Sequence, residues 1–199
     1  ASFMIKTRTP STPAVVFAVA FAMSLAAHSA RADVLSEWNA RADAIGAEKQ
    51  LPNLSNARGQ AMMHLAMFEA VNAVERRYRP YGLDLSAPRG TSKDAAAASA
   101  AYEVQLVLHP DQKAGLEALR TSSLAAVAEG EAKTQGIELG RQAAVRIVAL
   151  RANDGIAATE AYRPQTTPGA DVPTALPIEI TGGNVTPWVM RSGSQFRPE

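Results

Sequence analysis

His64 and His109 are the two histidines in the body of the chain, and their neighbours indicate what chemistry they could support. His64 is flanked by Met62, Met63 and Met67, and thioether and imidazole groups together are typical of a soft copper site. Methionine at helical spacing more often fills a core, so we expect a hydrogen-bonded core or edge histidine, with a ligand or acid–base role as the alternative. His109 directly precedes a proline, which predicts an exposed position between helices. Neither histidine has an acidic residue three positions earlier, so the Glu-x-x-His pattern of a di-iron bundle is missing.

A set of polar residues follows His64 along the same predicted helix. Glu69, Asn72, Glu75 and Arg76 lie three or four residues apart and so share one helix face. We expect them to form a structural polar network, with catalysis as the alternative.

Two further features are suited to binding an anion. Lys113 and Arg120 are seven residues apart and would share a helix face, and Ser192-Gly193 offers a small flexible turn. We expect both to be solvated surface features. The sequence also contains no Gly-x-Ser-x-Gly elbow, Walker loop, Cys pair or Gly-x-Gly-x-x-Gly fingerprint. The residues themselves therefore indicate no catalytic, cofactor-binding or metal-binding residue in this chain.

The amino terminus has the pattern of an export signal. Lys6 and Arg8 precede an uncharged apolar stretch at residues 14–27, and small residues then form an Ala-x-Ala site that ends at Ala32. The apolar stretch is too short to span a bilayer, although an uncleaved anchor is the alternative. We predict that residues 1–32 are a signal peptide. The mature protein would be periplasmic or secreted, without a membrane attachment.

Composition fits an ordinary globular protein. Hydrophobic residues make up 47% of the 199 residues and charged residues 20%. Removal of the predicted signal leaves 17 basic and 19 acidic residues, which excludes a strongly basic nucleic-acid binder. The absence of Cys does not distinguish between compartments.

Hydrophobic periodicity predicts an all-α fold, with a bundle of about five helices in residues 33–155. Thr91 or Ser92 is expected to begin the third helix and Gly155 to cap the fifth. In the fifth helix, Gly136 and Gly140 are four residues apart, which predicts the close approach of another helix. The predicted bounds are 34–49, 55–77, 93–108, 111–128 and 129–153.

Residues 156–199 have a different character, since frequent Pro and Gly exclude a long helix and no strand alternation is sustained. We expect this irregular tail either to be flexible or to pack along something that is not in this chain.

Several stretches, taken in order, resemble the amino-terminal half of bacterial vanadium-dependent haloperoxidase-like proteins, relatives of the type-2 phosphatidic acid phosphatases. The longest stretch is a predicted helix that begins with Arg-Gly-Gln-Ala-Met-Met-His-Leu-Ala-Met-Phe-Glu-Ala-Val-Asn. The resemblance covers essentially the whole mature chain. The stretches are residues 36–39, 58–81, 140–144 leading to 150–155, and 185–188 through 194–198.

The resemblance implies a helical scaffold whose irregular tail connects to a second, catalytic half. In the family, that half holds vanadate with a Lys/Arg cradle, a Ser-Gly-His segment and a late Arg…His pair, and it oxidises halide with peroxide. Phosphatase relatives use the equivalent histidine as a nucleophile on phosphate esters. Here Thr121 follows Arg120 where the family has proline, and Ser194 follows Ser192-Gly193 where it has histidine. No catalytic residue is therefore transferred to this sequence, and vanadate is implied only for the complete enzyme.

The expected function is that of the exported amino-terminal scaffold half of such an enzyme, with the catalytic half absent from this chain. Its partner would be that carboxy-terminal half, and self-association is a further expectation. The alternatives are an acid phosphatase of the same superfamily and a non-catalytic exported helical module that binds a partner.

Overall fold

The computed structural model describes residues 33–163, 167–169, 172–175 and 179–198. The predicted signal peptide at residues 1–32 lies outside these residues, so its boundary stays a prediction.

The described residues form an all-α structure of five α-helices without any strand, as predicted. Two short 3-10 turns, Pro110–Gln112 and Ile180–Asn184, add to them. No described helix is both long and apolar enough to cross a bilayer. The helices are α1 (Val34–Glu48), α2 (Asn53–Glu75), α3 (Lys93–Leu108), α4 (Lys113–Ala125) and α5 (Glu131–Leu150).

Helix ends differ from the predicted bounds for identifiable reasons. Helix α2 stops at Glu75, two residues early, because Arg76 adopts a left-handed conformation with φ 48° and its N–H donates to Asn72 O. Ser92 caps α3 as predicted, with its side chain accepting from Ala95 N. The predicted cap at Gly155 was wrong, since α5 ends at Leu150 and Gly155, at φ 92°, lies in the turn beyond it.

Helix α3 lies at the centre of the bundle, where the other four α-helices all contact it. Its run of alanines is fully buried because small side chains let α5 approach closely. A Cβ on Gly136 would lie 2.5 Å from Ser92 O, and one on Gly140 would lie 2.7 Å from Ala100 N and nearer still to Ala96 O. The glycine spacing therefore predicted correctly that another helix lies close to α5, and that helix is α3.

The core is built from large side chains of several helices packed around this contact. Met62, Met63 and Met67 are at most 1% exposed and belong to it, together with Trp38 and Leu116. The methionines beside His64 thus fill the core, which was the favoured interpretation.

The side chains of the four polar residues at the end of α2 contact the loop that follows the helix and the start of α3 instead of one another. Glu69 Oε1 accepts from the backbone N–H groups of Tyr81, at 2.6 Å, and Gly82, at 3.0 Å. Asn72 accepts from Tyr78 N and donates to Tyr78 O, both at 2.9 Å. The other two act similarly, because Arg76 donates to Leu85 O and Glu75 pairs with Lys93 and Arg77. Their role is structural, but the expected mutual network was wrong.

Candidate functional site

His64 lies on α2, half-buried, with Nε2 2.9 Å from Asn39 Oδ1 of α1. This is the hydrogen-bonded edge position that the sequence predicted. Beside it, Leu35, Met67 and Phe68 line a groove of about 280 Å³ between the two helices. Within the described part of the chain, no three His, Asp or Glu side chains converge as a metal site would require.

His109 was predicted to be exposed, and this was wrong. It follows the last residue of α3 and is half-buried beside Lys49. Burial, and then the charge of Lys49, lower the pKa of His109 against an opposing effect of Asp111. His109 is therefore neutral near pH 7 and can donate or accept a hydrogen bond without carrying charge.

The cationic residues of α4 point to different partners. Lys113 Nζ lies 3.6 Å from Glu117 Oε1 at the surface, whereas the Arg120 guanidinium lies 4.7 Å from the centre of the Tyr102 ring. The two do not converge on a common point. Ser192 is exposed, with its Oγ 3.2 Å from Ser194 Oγ. None of these residues fits the oxyanion cradle that vanadate requires. Lys113 and Ser192 are exposed, as predicted, whereas Arg120 is half-buried with an inaccessible Nε, so the prediction of a solvated surface feature was wrong for Arg120.

The most concentrated polar arrangement is a group of residues that the sequence did not predict as a site. Asp154 Oδ2 accepts from Arg58 Nε at 2.7 Å and from Arg151 Nε at 2.9 Å. Arg58 Nη2 also donates to Arg151 O at 2.8 Å. The side chains are almost inaccessible, at 13% for Arg58, 3% for Arg151 and 1% for Asp154. On its other face, Arg151 lies 4.0 Å above the centre of the Trp188 ring. We call these four residues the clamp.

The clamp attaches the tail to the bundle. Arg151 Nη2 donates to Thr186 O at 2.7 Å, and Thr186 N donates to Asp154 O at 2.6 Å. Trp188 O accepts from the Tyr81 hydroxyl. Gly155 is required here, because a Cβ on it would collide with the carbonyl group of Asn184. The expectation that the tail is flexible or packs on another molecule was therefore wrong for residues 184–188.

The hydrogen bonds and charges around Asp154 explain why its carboxyl group stays ionised. Burial alone would raise the pKa of Asp154, but hydrogen bonds from Arg58 and Ile156 N, with the charges of both arginines, outweigh burial and lower the pKa. Two guanidinium groups against one carboxylate leave a net positive charge. Both carboxylate oxygens of Asp154 accept hydrogen bonds, so the clamp is suited to positioning the chain and not to proton transfer.

Local sequence patterns could not find this site, because Arg58 and Asp154 are separated by 96 positions. The stretches of the resemblance do contain the clamp residues: Arg58 lies in 58–81, Arg151 and Asp154 lie in 150–155, and Trp188 lies in 185–188.

Comparison with known proteins adds no assignment. No family model matches the chain, and no curated protein or solved structure matches it either.

Proposed function

We propose that this chain is the exported amino-terminal scaffold half of a vanadium-dependent haloperoxidase-like enzyme. The observation that supports this most is the clamp. Three stretches selected from the sequence because they resemble the family are far apart in the chain, yet each contributes to the clamp, in which Arg151 and Asp154 are buried and Arg58 and Trp188 are partly buried. Residues that share a family pattern for a structural reason are expected to meet in this way.

The role that fits this geometry is positioning. The clamp joins the start of α2 and the turn after α5 to the tail at Thr186 and Trp188. Both arginines are largely buried and each donates two hydrogen bonds, so they fix where the chain leaves the bundle. In the complete enzyme, that exit would place the catalytic half against the helices.

The catalytic residues would lie in the carboxy-terminal half of the complete enzyme. The described residues do not fit vanadate, because Lys113 is paired with Glu117 and Arg120 is stacked on Tyr102. An oxyanion site would need the Ser-Gly-His segment and the Arg…His pair of the complete protein.

The decisive test is the genomic DNA downstream of the codon for Glu199. We expect an in-frame segment that encodes Ser-Gly-His followed by a late Arg and His. A stop codon without such a segment in any nearby frame would overturn the proposal. Where the segment is present, the complete enzyme is assayed for peroxide-dependent bromide oxidation and for phosphate-ester hydrolysis, which separates a haloperoxidase from the alternative acid phosphatase.

The groove beside His64 favours a second candidate, a non-catalytic exported module that binds a partner. Leu35 is 44% exposed and Tyr78 67% exposed, and both line this groove between α1 and α2. Purified residues 33–199 distinguish the two candidates. A monomer that unfolds cooperatively would support an independent module, whereas aggregation or binding of the dye ANS without a cooperative transition would support a half-domain.

A further inference from the structure

The groove beside His64 has the size and the lining of a small-molecule site. Its volume is about 280 Å³, which exceeds the ~150 Å³ of an apolar cavity known to take up benzene. Met67, which is 1% exposed, and the partly buried Phe68 line it, and Leu35 and Tyr78 add exposed side chains. Thioether and aromatic side chains contact aromatic rings favourably. The groove therefore suits a molecule of one or two apolar rings.

Three polar residues that line the groove are already bound within the chain. Asn72 accepts from Tyr78 N and donates to Tyr78 O, both at 2.9 Å. Glu75 pairs with Arg77 at 2.9 Å and also with Lys93. Because neither charged side chain of the lining is left without a partner, the groove favours a neutral ligand over an ion.

His64 differs from these residues because one of its ring nitrogens has no partner. Asn39 Nδ2 donates to Asp43 Oδ2 at 3.2 Å, which turns Asn39 Oδ1 toward the ring, 2.9 Å from His64 Nε2. Since an amide oxygen only accepts, Nε2 is the donor, and Nδ1 carries the lone pair of the neutral imidazole. Nδ1 has no hydrogen-bond partner among the described residues and is not one of their inaccessible unpartnered atoms. A small molecule can therefore reach an acceptor at the edge of an apolar groove.

We propose that this groove binds a small neutral aromatic molecule that carries one N–H or O–H donor. The donor binds His64 Nδ1, and the ring lies against Met67 and Phe68. The apolar lining selects the ring, the mutual pairing of Glu75 and Arg77 selects against charge, and the accessible acceptor selects the donor. The proposal does not rest on the scaffold function, because every lining residue belongs to this chain, and it names a ligand for the groove of the second candidate.

The test is a titration of the whole chain, after any signal cleavage, with indole in mildly alkaline buffer, followed by calorimetry and by the imidazole ¹⁵N signals of His64. Indole should bind saturably with a dissociation constant of about 1 mM, which is ordinary for a ligand of this size. Benzofuran has the same shape with oxygen in place of the N–H group, so it should bind about fivefold more weakly. The ¹⁵N signal of Nδ1 should move with indole and not with benzofuran. Absence of saturation, or equal affinity for the two compounds, would overturn the proposal without affecting the scaffold function, which the downstream coding sequence tests.

Variants locate the site. His64→Leu removes the acceptor and should weaken indole about fivefold while benzofuran is unchanged. Tyr78→Phe removes a hydroxyl from the exposed wall of the groove and should leave both affinities unchanged. A preference for indole that survives in His64→Leu, or is lost in Tyr78→Phe, would contradict the assignment to Nδ1.

A second pair of variants keeps the test valid even where His64→Leu does not fold. Leu35→Ala shortens a side chain of the lining that is 44% exposed, and it should weaken indole and benzofuran alike. Leu150→Ala is the same change at a 54% exposed position on α5 outside the groove, and it should weaken neither. Unchanged affinities in Leu35→Ala, or equal losses in the two variants, would show that indole does not bind in this groove.

Discussion

Replacement of Asp154 by alanine should destabilise the protein far more than the loss of an ordinary ion pair. The carboxylate accepts from Arg58 and Arg151, whose side chains are only 13% and 3% exposed, so its removal leaves two guanidinium groups buried without their acceptor. Breaking a buried pair in this way typically costs about 3–5 kcal/mol of unfolding free energy. This is a large share of the ~5–15 kcal/mol that stabilises a domain.

Urea denaturation measures the loss directly, and amide hydrogen exchange shows where it acts. We expect the exchange of Thr186 N, which donates to Asp154 O, to accelerate more than that of amides in the middle of α3. Asp154→Asn keeps one acceptor oxygen, so its loss should be smaller than that of Asp154→Ala.

Glu138→Ala is the matched control. Glu138 also accepts from the Nε and Nη2 of an arginine, Arg141, but both side chains are about half exposed. Because surface pairs contribute little, this variant should unfold close to the parent. A loss below about 1 kcal/mol in Asp154→Ala, with slow exchange preserved at Thr186, would refute the claim that the clamp holds the tail.

Three further variants or conditions extend the same reasoning. Gly140→Ala places a Cβ against the backbone of Ala96 and should lower the free energy of unfolding by about 2 kcal/mol or more, measured by urea denaturation. Gly183→Ala is the control and should be neutral, because no atom lies within 4 Å of the added Cβ. Similar losses in both variants would contradict the close helix contact. Trp188→Ala removes the ring beneath a guanidinium and should speed proteolysis of the tail while circular dichroism of the helices stays unchanged; unaltered proteolysis would argue against the attachment. The pKa of Asp154 is lowered in the folded protein, so the ionised carboxylate stabilises the fold above the unfolded pKa of about 3.9, and this stabilisation is lost as the pH falls through the folded pKa. The difference in stability between the parent and Asp154→Asn should therefore shrink in acid. A difference independent of pH would show that the carboxylate is not ionised in the fold.

The helices were predictable because periodicity and small-residue spacing are local properties. The glycines of α5 predicted a close neighbour without saying which helix it was, and α3 occupies that place. Helix ends were less predictable because tertiary contacts decide them. Helix α2 stops early where the side chain of Asn72 binds the backbone of Tyr78, and no pattern within the helix marks that interaction.

The candidate site was harder to predict because its residues are far apart in the chain. His109 next to proline indicated exposure, yet the approach of Lys49 and the packing around α3 bury half of it. The clamp was not predicted as a site either, because its residues are also far apart in the chain. Arginine and aspartate are ordinary surface residues by type, and only the folded chain reveals that Asp154 is 1% exposed at its side chain.

The position of the clamp also explains which part of the tail is left for another surface. Thr186 and Trp188 of the tail are held by the turn after α5 and by Tyr81. Beyond it, Val189 is 90% exposed and Phe196 78% exposed, although both side chains are strongly apolar. Because Trp188 is attached to the bundle, the exposed apolar residues that follow it would lie at a fixed place on the protein. If the chain is a scaffold half, we expect the catalytic half to cover Val189 and Phe196.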